Sequence, residues 1–125
     1  GNRAVGVEPG GPVAASEAAR LEREPAYGNL AELGLGVLAD FGLQPIGSVL
    51  LDEKLGLHVA FGRSDHFGGS VGPEDFSSPA AVVHIDRVYL PATQPAVGVE
   101  EVNLVMDDGS SFPLMRDGGY AIDFG

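Results

Sequence analysis

The chain contains no cysteine. That absence excludes disulfides, thiolate catalysis and cysteine-ligated zinc together, and it leaves the redox compartment open. Basic side chains are scarce: 7 Lys and Arg stand against 18 Asp and Glu, a formal net charge of −11. Without a basic patch there is little to displace counterions from a phosphate backbone, so nucleic acid is excluded as an expected partner. Long hydrophobic runs are missing as well, since the apolar stretches fall far short of the roughly 20 residues a membrane span requires. No basic-then-apolar leader opens the sequence, so a cytoplasmic location and no membrane partner are expected. Internal repeats and low-complexity linkers are also lacking.

What is present suffices for a packed core. The chain has 125 residues, 44% of them hydrophobic, and its mean hydropathy of +0.11 is incompatible with a disordered acidic tail. Its length predicts a single domain. Nineteen glycines and nine prolines, spread along the chain, predict many short strands joined by tight turns. Arg3 to Glu8 reads as a short strand. Val13 to Glu24 (VAASEAARLERE) reads as a helix, with Pro12 in its first turn, Pro25 ending it, and Ala15, Ala18, Ala19 and Leu21 toward a sheet. Strands are expected at Asn29 to Val37, Leu57 to Arg63 and Ala81 to Leu90, with a helical turn over Ser48 to Gly56. Val99 to Met106, Ser111 to Met115 and Tyr120 to Phe124 predict a terminal meander. The aspartates of its turns, Asp107–Ser110 and Arg116–Gly119, are turn formers rather than ligands. The pattern is α+β: a mainly antiparallel curved sheet, one N-terminal helix, and a short helical turn before the His58 strand.

The chemical signal lies in polar side chains set inside apolar strands. In AVVHIDRVYL, His84 and Asp86 are two residues apart and so share one face. A buried carboxylate is costly unless paired or bound to metal, and a core Asp–His pair would account for these two residues as well. His58 sits between Leu57 and Val59, on the face it shares with Ala60 and Gly62. Glu32 is the one charge in NLAELGLGV and projects with Gly34 and Gly36; a solvated edge strand would also explain it. Two histidines and two carboxylates from three strands form an inventory for a transition metal or zinc. Two His and one carboxylate is also the triad of non-haem iron oxygenases. His66, after Asp65 in a glycine-rich loop, reads as solvated or as a loop ligand. Glu53, five residues before His58, is placed to act as general base toward metal-bound water.

The order NLAELGLG, LLDEKLGLHVAFG, FGG, VVHIDRVYL resembles the C-terminal half of the aminopeptidase T and aminopeptidase S type metallopeptidases, the thermophilic metalloprotease family. The resemblance covers roughly residues 1–90 and implies that the chain corresponds to the C-terminal metal-binding half of a larger protein. It implies that Glu32 bridges a two-metal centre and that His58, His84 and Asp86 are further ligands. The ions would be zinc, cobalt or manganese, one or two in number. It further implies that Glu53 is the catalytic acid/base, that peptides with a free α-amino group are substrates, and that the protein forms a homodimer. Two features of the family have no counterpart here: a further metal-binding glutamate upstream of the AELG-like strand, and a tyrosine about seven residues after the strand histidine. Enzymes resembling 2,5-dihydroxypyridine dioxygenase share the fold family. They bind one Fe(II) through two His and one Asp, onto which His58, His84 and Asp86 map. A metal-binding or interaction domain without catalysis is the third class.

Overall fold

The computed structural model describes residues 2–124. Their contacts fall into two compact units, Gly1–Val88 and Tyr89–Gly125. The architecture is α+β, as expected: one main helix near the N-terminus and two antiparallel sheets of three strands each.

In the first unit, α1 spans Pro12–Arg23 with proline in its opening turn, followed by a 3-10 turn at Pro25–Gly28. The sheet contains β1 (Leu30–Leu35), β2 (Leu57–Gly62) and β3 (His84–Val88), with β2 in the centre. A single helical turn, α2 (Val49–Asp52), precedes β2. The helix does not dock through the expected alanines, because Ala15, Ala18 and Ala19 are exposed. Longer side chains make contact instead, with Tyr27 of the 3-10 turn. Glu17 accepts a 2.6 Å hydrogen bond from the Tyr27 hydroxyl, and the Arg20 guanidinium stacks 4.0 Å from the Tyr27 ring centre. Burial first, and then the Glu17 carboxylate, push the Tyr27 phenol above its ordinary pKa.

Two expected strands of the first unit differ from the structure. Arg3 to Glu8 contributes only an isolated bridge, Arg3 to Asn29. The Ala81 to Leu90 segment enters its ladder only at His84. Pro79–Ala81 forms a 3-10 turn, and Val82 and Val83 pack with Ala26, Val71 and Phe76 in the hydrophobic core. The valines are therefore used for packing rather than pairing.

The second unit is a meander, as expected, of β4 (Glu101–Val105), β5 (Ser111–Arg116) and β6 (Gly119–Tyr120), but the strand expected over Tyr120 to Phe124 ends at Tyr120. Asp108 caps the first turn, accepting hydrogen bonds from Ser110 N and Oγ at 2.8 and 2.6 Å. The Ser110 hydroxyl and then its amide hold the Asp108 carboxyl below its usual pKa. Asp117 and Gly118 both have positive φ, the backbone a two-residue hairpin turn demands. Among the described residues, no helix is long and apolar enough to cross a membrane.

Candidate metal centre

The antiparallel register determines which side chains meet. Glu32 pairs with Ala60, and Ala60 pairs with Asp86 across the sheet. One step along, Gly34 pairs with His58; at the other end, Gly62 pairs with His84. Because side chains alternate along a strand, Glu32, His58, His84 and Asp86 all project from the same face. Ala60, wholly buried between Glu32 and Asp86, leaves the space above it to the longer side chains around it.

Glu53 arrives from outside the sheet. Asp52 is buried and accepts hydrogen bonds from Ile46 N and Gly47 N, both at 2.9 Å. This ties down the loop in front of α2. Leu55 and Leu57 are buried on the far side of the turn, so the intervening backbone is anchored at both ends. Glu53 is thereby turned inward and buried, although its charged neighbours make it look like a surface residue in the sequence. Its Oε1 lies 2.5 Å from Lys54 Nζ.

Both strand histidines are held through the same ring nitrogen. Nδ1 of His84 lies 2.8 Å from the Arg63 carbonyl, and Nδ1 of His58 lies 3.3 Å from the Gly56 carbonyl. A carbonyl can only accept, so each Nδ1 donates and each Nε2 is the nitrogen aimed at the cluster. His58 Nε2 faces Glu32 Oε1 at 3.1 Å. His84 Nε2 faces Glu32 Oε2 at 3.5 Å and Asp86 Oδ1 at 3.6 Å. Glu32 thus presents one oxygen to each imidazole. A nitrogen lone pair facing a carboxylate oxygen requires a cation between them, whether a proton or a metal ion.

The Arg63 carbonyl is itself placed by a buried polar network. Asn29 Nδ2 donates to the Gly62 carbonyl at 2.8 Å and to Ser64 Oγ at 3.2 Å. Ser64 Oγ also accepts from Val71 N at 3.3 Å, and Arg63 N donates to the Val83 carbonyl at 2.7 Å. Gly62 has a φ of +105°, and a Cβ there would meet the Val83 carbonyl oxygen at 2.2 Å, so only glycine lets β2 turn into this loop.

The donors form two sets, Glu32–His84–Asp86 and Glu53–His58–Asp86, the donor atoms of each lying within 4.8 Å of one another. These are groups that could hold a metal ion, and Asp86 belongs to both. Three carboxylates and two imidazoles suit a divalent cation bound through nitrogen and oxygen. Asp86 Oδ1 is buried without a hydrogen-bond partner, and a buried carboxylate oxygen calls for a donor or a cation. The residues present fit a metal ion on both counts.

His66 lies beside the cluster, outside both sets. It is exposed, and its ring packs edge-on against His84 with centroids 4.9 Å apart. Asp65 next to it is clamped by Arg63 through two hydrogen bonds of 2.5 and 3.0 Å, and Arg63 holds the Asp65 carboxyl below its usual pKa. Sequence reasoning passed over Lys54 and the buried Asp52. The only signal for Lys54 was its position next to Glu53.

The fold and site define an α+β protein with a cluster of imidazoles and carboxylates able to bind metal. In comparisons with known proteins, no family model, no curated protein and no solved structure matches the chain.

Proposed function

We propose that the Gly1–Val88 unit is the metal-binding domain of a metal-dependent aminopeptidase, of the aminopeptidase T and S kind, acting on the N-terminal bond of peptides. One observation carries this reading: two donor sets, each with one imidazole and two carboxylates, meet at Asp86. Zinc, cobalt and manganese suit such donors. When bound, a divalent ion supplies Lewis acidity toward a carbonyl and a nucleophile near neutral pH.

The chain's own residues supply the rest. Glu32 spans the two imidazoles, and Asp86 joins the two sets. Glu53, buried beside them, is the proton carrier. Its Oε1 is engaged by Lys54, which leaves Oε2 to take a proton from the attacking water and return it to the leaving amine. The oxygenase alternative asks His58, His84 and a single carboxylate to share one Fe(II). Here Glu32 turns a separate oxygen to each histidine, Oε1 to His58 Nε2 at 3.1 Å and Oε2 to His84 Nε2 at 3.5 Å, a bridging arrangement that favours the hydrolytic reading.

The test begins with metal content. After reconstitution with zinc, cobalt or manganese, elemental analysis is expected to find about one or two ions per chain. Glu53→Gln is expected to keep the metal and lose about a hundredfold or more in the rate of leucine anilide hydrolysis. A chain that retains no ion removes the hydrolase and oxygenase readings together. Oxygen uptake with a hydroxypyridine, without peptide hydrolysis, would establish the oxygenase.

A further inference from the structure

Lys54 is the single lysine of the chain, and it stands against the buried carboxylate that the hydrolytic reading needs as a base. Its Nζ lies 2.5 Å from Glu53 Oε1, a charge-assisted contact. The Lys54 side chain is 57% exposed while that of Glu53 is 11% exposed, so the ammonium reaches in from the rim to cap a carboxylate below it. The backbone fixes this arrangement: Lys54 N donates to the Leu51 carbonyl at 3.1 Å, and Leu38 N donates to the Lys54 carbonyl at 2.9 Å.

Glu53 also belongs to a donor set with His58 and Asp86. A carboxylate within reach of an ion ordinarily ligates it, and a ligating carboxylate has given up the electron pair that a general base must offer. We propose that Lys54 is a positioning residue that holds Glu53 out of the metal's coordination sphere and so preserves it as a base. The ammonium occupies Oε1 and offsets the charge that would otherwise draw the carboxylate onto the cation. The inference rests on the metal-centre reading above, and it assigns the boundary between ligand and base to one surface lysine.

The experiment is calorimetric titration of the full chain with Co²⁺, together with the visible absorption of the bound cobalt. Lys54→Gln is expected to bind cobalt about tenfold more tightly, with a weaker visible band as an added oxygen ligand raises the coordination number. Lys54→Arg, which keeps the cation, is expected to restore wild-type affinity and spectrum. In the Glu53→Gln background, Lys54→Gln is expected to produce no gain. A merely structural lysine would leave affinity unchanged or weaken it on removal, and either result overturns the inference. A gain that persists without the Glu53 carboxylate overturns it as well, since Lys54 would then act by bulk repulsion alone. Wild-type protein that binds no cobalt removes the metal centre itself. Wild-type binding with Lys54→Gln unchanged removes only the role of Lys54.

Discussion

Asp86→Asn is expected to abolish metal retention and, at the same time, to raise the melting temperature of the metal-free protein. Asp86 is the one residue common to both donor sets, so its loss weakens both, whereas loss of His58 or His84 removes a donor from one. An amide is a poor ligand for zinc or cobalt beside carboxylates and imidazoles, and affinity should fall by about a hundredfold or more. Stability moves the other way. Asp86 Oδ1 is buried without a hydrogen-bond partner, and the carboxylates of Glu32 and Glu53 crowd the same space. Asparagine keeps the shape, removes one charge and supplies two N–H donors, a gain of about 1 kcal/mol. That corresponds to a rise of about 4 °C in a unit of this size. Equilibrium dialysis with elemental analysis reads the first effect, and thermal melting in chelator reads the second. Retention of metal at the wild-type level by Asp86→Asn would end the metal-centre reading.

Gly34→Ala has the second large effect, and it acts through His58. A Cβ at position 34 would stand 1.9 Å from His58 Cε1 and 2.0 Å from Nε2. The imidazole occupies the volume that any larger residue opposite it would fill. Since Gly34 and His58 are directly paired across β1 and β2, the methyl cannot be accommodated by a small strand shift without breaking the ladder. The ring must swing away, losing its contacts with Glu32 and the Gly56 carbonyl. The expected cost is about 1–3 kcal/mol of stability from overpacking, with metal affinity reduced about tenfold or more. Thermal melts with and without added zinc separate the two effects. A variant with wild-type stability and affinity would show that the His58 ring does not lie over Gly34.

Much of this arrangement is legible from residue order. Period-two alternation places His84 with Asp86, and His58 with Ala60 and Gly62, whatever lies next to them. The helix over Pro12–Arg23 follows from its composition and its flanking prolines, and the terminal hairpins follow from DDGS and RDGG. The face of α1 was less legible. Its alanines suggested an apolar stripe, but the docking contacts are Glu17 and Arg20 on Tyr27. Nothing local reveals that a tyrosine 10 residues on will be the surface they meet. Glu53 was legible only through its spacing from His58: its flanking charges resemble an exposed helical turn, while burial of Leu55 and Leu57 beyond it turns the carboxylate inward.

By itself the sequence determined the α+β class, the absence of thiol chemistry, and the fact that unusual polar side chains sit in apolar strands. Those properties depend on composition and on periodicity within one segment. Only the tertiary structure decided that β2 is central, that Glu32 and Asp86 flank the same Ala60, and that Lys54 pairs with Glu53. Alternation tells which way a side chain points but not what faces it. Cross-strand neighbours are set by register, and register depends on long-range hydrogen bonds, on the irregularity between Leu30 and Glu32, and on how closely a glycine lets another strand's side chain approach.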